Sequence, residues 1–93
     1  MTKFEIRRTS QFKKDYKRAA KRGHDMQKLD DAIELLAESG ELPPEYKDHN
    51  LVGNWVGFRE CHIAPDWLLV YEIENNILVL TLTATGSHSD LFS

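Results

Sequence analysis

The sequence contains a single cysteine, Cys61, so an internal disulfide is excluded. Without a second cysteine, the usual structural zinc patterns are absent as well. No apolar run approaches the roughly 18 residues that a membrane helix needs, and residues 1–8 lack the apolar stretch of a signal peptide. These absences predict a cytoplasmic protein that has no membrane partner and whose stability comes from side-chain packing.

The length and composition are those of one small folded domain. The chain has 93 residues, of which 41% are hydrophobic and 29% are charged. These values lie close to the average for soluble globular proteins, which excludes disorder and low-complexity structure. A chain of this length buries about 60 to 65% of its unfolded surface around a single core. We therefore expect one domain over residues 1–93.

The net charge of −3 conceals a strong division along the chain. Residues 1–28 contain ten Lys or Arg against three acidic residues, and the remaining 65 residues contain two basic against twelve acidic residues. A concentrated basic segment attracts phosphate backbones, although a solvated helix face is the simpler interpretation from charge alone. This basic patch consists of Lys13, Lys14, Lys17, Arg18 and Lys21, all predicted to face water.

Helical patterns occupy much of the first half of the chain. Thr9 or Ser10 can cap a first helix that Gly23 ends, and Asp25 can cap a second helix that Gly40 ends. The two helices are expected to form a hairpin. Their predicted core-facing residues are Phe12, Tyr16, Ala19 and Ala20 in the first helix and Met26, Leu29, Ile33, Leu36 and Ala37 in the second.

Strand patterns lie on both sides of the helices. Alternating apolar and charged residues predict a strand over residues 3–8, and β-branched and aromatic runs predict three hairpin-linked antiparallel strands further on. Pro43 and Pro44 predict a loop over residues 40–50. This order indicates an α+β fold whose helices cover one face of the sheet. The three later strands are predicted over residues 54–63, 67–74 and 77–84, with a short tail over 85–93.

Three of the four histidines lie where a rigid sheet can present polar side chains. His49 ends the Pro-rich loop, His62 lies near the end of a predicted strand and His88 lies in the tail, whereas His24 lies in the helix hairpin and is assigned no role. Asp66 lies in the turn directly after the strand of His62, so we expect the two to share a corner. Strand alternation places Phe58, Glu60 and His62 on one side and Gly57, Arg59, Cys61 and Ile63 on the other, unless a bulge intervenes.

These side chains suit the cleavage of RNA, which carries its own nucleophile in the 2′-hydroxyl group. Cleavage needs a base for that proton, an acid for the departing 5′ oxygen and positive charge to stabilise the phosphorane, and no metal is obligatory. Histidine suits both proton roles because its ordinary pKa is about 6.5. Arg59 would supply permanent charge, and exposed aromatic residues such as Trp67 or Phe92 would stack on bases.

Each of these residues also has a simpler structural interpretation. Asp66 can cap local amides in its turn, Trp67 can belong to the core, and Arg59 can pair with Glu60 or Glu72. The histidines and Asp66 could instead bind zinc, although their spacing matches no short helical or cysteine-containing pattern. From the residues alone, a nuclease, a binding module and a metal site remain open.

The order of several short motifs resembles the YafQ branch of the RelE/ParE toxin superfamily. The likeness spans essentially the whole chain and is strongest from Tyr46 onward, and the combined order is more specific than any single motif. The motifs are YKDHNL at 46–51, Gly53, Trp55, GFRECHI at 57–63, PDWLLVY at 65–71 and TGSHSDLF at 85–92.

The resemblance implies a RelE-like α+β fold and a toxin of a type II toxin–antitoxin pair. Such toxins cleave mRNA on the translating ribosome without a metal cofactor. Many relatives carry Arg where this chain has Ala84, so Arg59 or a basic helix residue would have to replace that phosphate contact. The resemblance assigns the catalytic group to His49, His62, Asp66 and His88 and also implicates Trp67 and Phe92.

The resemblance also implies the partners of the protein. The expected protein partner is a cognate antitoxin of the DinJ/RelB-like, ribbon-helix-helix type, a small DNA-binding dimer. The expected RNA partners are mRNA and, in the A site of the 30S ribosomal subunit, ribosomal RNA, which the basic patch would contact. The alternatives are a binding toxin of the same superfamily, either directed for example at gyrase or catalytically weakened because Ala84 replaces the Arg, and a metal-dependent hydrolase.

Overall fold

The computed structural model describes residues 2–92, which form one sheet and three α-helices. Met1 and Ser93, which belong to the predicted domain and tail, lie outside the described residues. The strands are β1 (Glu5–Arg8), β2 (His49–Asn50), β3 (Arg59–Ala64), β4 (Trp67–Glu74) and β5 (Val79–Gly86), and the helices are α1 (Ser10–Lys21), α2 (Met26–Ser39) and α3 (His88–Phe92).

The five strands are arranged in the order β1-β5-β4-β3-β2. β1 pairs with β5 in parallel, and all other neighbouring strands are antiparallel. The predicted α+β fold is confirmed, with its N-terminal strand, two-helix hairpin and three-stranded antiparallel meander. No helix within residues 2–92 is both long enough and apolar enough to cross a membrane.

The predicted strand over residues 54–63 begins later than expected. It starts at Arg59, because Gly53 and Gly57 adopt φ angles of 65° and 99°. Such positive φ angles suit glycine and interrupt an extended strand. The residues Gly53–Trp55 form a 3-10 helix instead.

Two segments that were predicted to be irregular contain short regular elements. The loop over residues 40–50 contains β2, and the tail over 85–93 contains the end of β5 and the whole of α3. Each of these short elements carries a histidine, His49 in β2 and His88 in α3. Elements of two and five residues are too short to produce a recognisable periodicity, so the sequence pattern does not reveal them.

Side-chain caps fix the starts of the first two helices as predicted. The Thr9 hydroxyl accepts the N–H of Phe12 at 3.0 Å and donates to the carbonyl of Thr83 in β5 at 2.6 Å. It therefore caps α1 and joins that helix to the sheet. Asp25 caps α2 with its side chain, and Gly40 ends the helix in the left-handed region with φ of 77°.

The hydrophobic core lies between the two long helices and one face of the sheet. Phe12 of α1, Leu29 of α2, and Leu69 and Tyr71 of β4 are among its buried members. The core residues predicted for α2 are buried, except that Met26 is half-buried. The opposite face of the sheet is not covered by these helices, and His49, His62 and His88 lie on that side.

The predicted core stripe of α1 is wrong at Ala20, which is exposed, whereas Asp15 is buried. One carboxylate oxygen of Asp15 accepts the backbone N–H of Thr85 in β5 at 3.1 Å. The other accepts from the Gln11 side chain at 2.8 Å and lies 3.1 Å from Arg18 Nη2. These partners make the buried charge tolerable, and they also draw Arg18 partly out of the solvent that it was expected to face.

Replacing Thr9 with Ala should lower the free energy of unfolding by about 1 to 2 kcal/mol, because the first turn of α1 loses its cap. Urea denaturation followed by circular dichroism measures the change. Thr9→Ser is the matched control, since it retains the hydroxyl group and should unfold near the wild-type midpoint. Equal midpoints for the Ala and Ser variants would show that the hydroxyl does not stabilise the fold.

Candidate active site

The face of the sheet that α1 and α2 leave uncovered carries the candidate site. β3 alternates between the two faces, so Glu60 and His62 share the open face while Arg59 and Cys61 belong to the helix-covered side. His49 pairs with Glu60 across β2 and β3 and joins the same face.

Burial raises the pKa of the Cys61 thiol to about 12, so this cysteine is not available as a nucleophile.

Three histidines form a row on the open face. The ring centroids of His49 and His62 are 6.5 Å apart, and those of His62 and His88 are 6.1 Å apart. His62 occupies the centre and is half-buried, whereas the two outer rings are exposed. The fold therefore gathers histidines from β2, β3 and α3 within reach of a single substrate group.

Glu60 is the residue of this site to which the sequence analysis gave no role. It is buried, and its Oε1 lies 3.7 Å from Nε2 of His49 and 3.7 Å from Nε2 of His62. The Glu60 carboxylate therefore lies between the two rings and faces both of them. The available signal was the two-residue spacing of Glu60 and His62 on one strand, which placed both side chains on the same face.

Asp66 holds His88 at the other end of the row. Its Oδ1 lies 3.1 Å from His88 Nδ1 and accepts the backbone N–H of His88 at 3.2 Å. These hydrogen bonds, first from the ring and then from the backbone, lower the pKa of the Asp66 carboxyl. An ionised carboxylate only accepts hydrogen bonds, so His88 Nδ1 carries a proton and Nε2 is left for substrate.

His49 is held by the backbone carbonyl of Lys47 and by its two neighbours in sequence. Its Nδ1 lies 2.9 Å from the carbonyl oxygen of Lys47, which can only accept, so this nitrogen is the donor and Nε2 is the nitrogen that faces Glu60. Arg59 donates to the Asp48 carboxylate at 3.1 and 2.8 Å and to Asn50 Oδ1 at 2.6 Å. A double hydrogen bond of this kind fixes the strand on both sides of His49.

The phosphate-binding role predicted for Arg59 does not fit this geometry. Arg59 lies on the face of β3 opposite His62, and Asp48 raises its pKa through hydrogen bonds. Tyr71 also donates its hydroxyl to Asp48. The partner of Arg59 is therefore Asp48 rather than Glu60 or Glu72, and its guanidinium is committed to holding the β2 segment.

Trp67 is buried, so the expectation that its ring is exposed for base stacking is wrong. Only 2% of the residue is accessible, its Nε1 donates to Thr85 Oγ1 at 3.0 Å, and its ring stacks on His24 at 4.3 Å. His24, to which no role was assigned, thus packs against the indole. Because Trp67 directly follows Asp66, this packing anchors the turn that presents the carboxylate.

Phe92 remains accessible at the edge of the site. It is 37% exposed, and its ring centroid lies 6.4 Å from that of His88. It also meets Trp55 edge to face at 5.4 Å. This position suits an aromatic ring that stacks on a nucleotide base beside the histidines.

The lysines of the basic patch lie exposed on α1, whereas its arginine is partly engaged. Lys13, Lys14, Lys17 and Lys21 are exposed, and Arg18 pairs with Asp15. Among residues 2–92, no group of three or more His, Cys, Asp or Glu side chains is arranged to hold a metal ion. The side chains of the histidine row and its two borders are imidazoles and carboxylates.

Comparison with known proteins first defines the class. A family model described as bacterial toxin of type II toxin–antitoxin system, YafQ, matches residues 4–93. The protein is therefore a toxin of a type II toxin–antitoxin system. Within that class the chain belongs to the YafQ family, which confirms the resemblance drawn from its motifs.

Relatives from Escherichia coli match along nearly their whole length. The mRNA interferase toxin YafQ of strain K12 is 41% identical over 93 residues, covering 99% of both chains. The crystal structure of YafQ from strain BL21(DE3) has a TM-score of 0.91 at 40% identity and covers 97% of this chain and 99% of that chain. The E. coli DinJ–YafQ complex has a TM-score of 0.89 at 41% identity, with the same coverage.

Replacing His88 with Ala should raise the pKa of Asp66 toward its ordinary value of 3.8, because the hydrogen bond from the ring is removed. Carbon-detected NMR of the Asp66 carboxyl group across an acid titration measures this pKa. His49→Ala removes a ring at the other end of the row and should leave the titration unchanged. An Asp66 pKa that is the same with and without the His88 ring would show that the pair does not form in solution.

Proposed function

We propose that this chain is an mRNA interferase, an endoribonuclease that cleaves messenger RNA on the ribosome without a metal cofactor and thereby stops translation. The observation that carries the proposal is the open row of three histidines bordered by the carboxylates of Glu60 and Asp66. Membership of the YafQ family and the name of the E. coli relative support the same activity.

His62 is the proposed base that removes the 2′ proton. It lies at the centre of the row, and the buried Glu60 carboxylate 3.7 Å away stabilises the imidazolium that forms. Asp66 is the weaker choice, because the hydrogen bonds from His88 lower its pKa and a carboxylate of low pKa is a poor base.

His88 is the proposed acid that protonates the departing 5′ oxygen. Asp66 binds its Nδ1 and stabilises the protonated ring, which leaves the Nε2 proton for the substrate. His49 is assigned the positive charge that stabilises the phosphorane, and its Nε2 also lies near Glu60. Arg59 cannot supply this charge from the opposite face.

Substitution of the proposed catalytic side chains should abolish toxicity without unfolding the protein. The variants His49→Gln, His62→Gln, Asp66→Asn and His88→Gln keep a polar side chain of similar size but remove its proton chemistry. Each should slow cleavage of ribosome-bound mRNA by about 10²- to 10⁴-fold and relieve growth arrest on expression. Rates on programmed ribosomes and circular dichroism spectra measure activity and folding.

Glu38→Gln, which removes one exposed charge from α2, is the matched control and should cleave like the wild type. Full toxicity in all four site variants would show that the site is misplaced. Growth arrest with intact transcripts, judged by mapping of 5′ ends, would instead indicate a non-catalytic toxin. Loss of cleavage with a chelator that removes transition metals but leaves magnesium on the ribosome would indicate a metal-dependent hydrolase.

The proposal includes two macromolecular partners besides mRNA. E. coli YafQ has been solved in complex with DinJ, and we extend this partnership to a DinJ/RelB-like antitoxin for the present chain. The exposed lysines of the basic patch are proposed to contact ribosomal RNA when the toxin is free, and acidic antitoxin segments when it is bound.

Removing two charges of the basic patch should weaken ribosome binding and reduce its dependence on salt. For Lys14→Gln with Lys17→Gln, the slope of log affinity against log salt should become shallower by roughly one unit for each phosphate that the variant no longer neutralises. Binding to ribosomes from low to high salt measures the slope. Lys3→Gln, outside the patch, should leave it unchanged, and a double variant with the wild-type slope would contradict the assignment.

A further inference from the structure

Asp90 joins two elements that are far apart in the sequence. Its Oδ2 lies 2.8 Å from Arg22 Nη1 and 3.8 Å from Arg18 Nη2, and it accepts the backbone N–H of Ser87 at 2.9 Å. The Asp90 backbone N–H in turn donates to Ser87 Oγ at 3.1 Å. A single carboxylate thus connects the start of α3 to the last turn of α1.

The contacts of Asp90 continue into the core. Arg18 donates to the carbonyl of Thr85 at 3.3 Å and lies 3.1 Å from the buried Asp15 carboxylate. Asp15 also accepts the backbone N–H of Thr85. The end of β5, from which the chain enters α3, is therefore fixed to α1 on both sides of the Thr85 peptide.

Gly86 permits the close approach of α3 to the sheet. A Cβ atom at this position would lie 2.8 Å from the Asp90 Cβ, 2.9 Å from its Oδ2 and 3.1 Å from Arg18 Nη2. Distances below 3.0 Å are not tolerated between real carbon atoms, so a larger residue would displace Asp90. The absence of a side chain at Gly86 is part of the same contact.

We propose that Asp90, held by Arg22 and Arg18, is a positioning residue that sets His88 against Asp66 and His62. The inference rests on the function proposed above for His88. α3 has five residues and is too short to be stable without tertiary contacts. The contacts of Asp90 with Arg22 and Arg18 form a tether. Because His88 lies two positions before Asp90, this tether fixes the orientation of the His88 ring. A displacement of about 1 Å in a catalytic group can cost 10²-fold in rate.

The tether acts on geometry more than on global stability. The Arg22 side chain is 48% exposed, and an ion pair with one partner this accessible contributes little to folding. The Arg22 hydrogen bond nevertheless holds the pKa of Asp90 well below its ordinary value, so the carboxylate is charged wherever the enzyme works. Loss of the pair should therefore reduce activity with little change in melting temperature.

The test compares Asp90→Asn, Arg22→Gln and their double variant in the full chain. Each single variant should slow cleavage on programmed ribosomes by about 10- to 100-fold, and the double variant should be no slower than the worse single variant. Arg22→Lys, which retains the charge, should recover part of the rate. Glu38→Gln and Lys3→Gln control for the removal of one exposed charge of either sign.

A second readout does not depend on activity. In Asp90→Asn, the pKa of Asp66 measured by NMR should rise toward that of the His88→Ala variant, because the ring no longer sits against the carboxylate. Gly86→Ala should have the same effect from the other side of the contact. Failure of the wild-type protein to cleave would overturn the proposed function alone, since the Asp66 titration still tests the tether.

Three results would overturn the inference. The first is a wild-type cleavage rate in Asp90→Asn, and the second is an Asp66 titration that neither Asp90→Asn nor Gly86→Ala alters. The third is multiplication of the two single effects in the double variant, which would show that Arg22 acts on RNA independently of Asp90.

Discussion

The open face depends on the register of β3 against its neighbouring strands. A slip of one residue would turn Glu60 and His62 into the helix-covered core and expose Cys61 and Ile63 to water. Because both of the latter residues are buried, the hydrophobic effect on one side of the sheet opposes that slip. The packing of apolar side chains under α1 and α2 thereby determines which polar groups meet on the other side, where His49 joins them through its pairing with Glu60.

The outer histidines lie in segments beyond the reach of this core, and each segment depends on an arginine. Arg59 bonds to the residues on both sides of His49, and Arg22 binds Asp90 two residues after His88. Ion pairs of this kind add little to global stability, but they restrict the positions open to a short strand or helix. A small domain can thus orient polar side chains accurately without enlarging its core.

Features set by local chemistry follow from the sequence, whereas features set by distant partners do not. The caps at Thr9 and Asp25 and the bounds of β4 involve neighbouring residues, and they agree with prediction. The burial of Asp15 does not follow from the sequence because its partner, the N–H of Thr85, lies in the last strand. The prediction that the Trp67 ring is exposed is wrong for the same reason, since the Thr85 hydroxyl and the His24 imidazole that enclose it come from remote elements. The histidine cluster follows from family likeness, not from spacing.

Because α3 is short, the part of the proposed site that it carries is less stable than the domain as a whole. A helix of five residues that relies on docking opens at a lower free energy than strands buried on both sides, so hydrogen exchange in it should be fast while β4 stays protected.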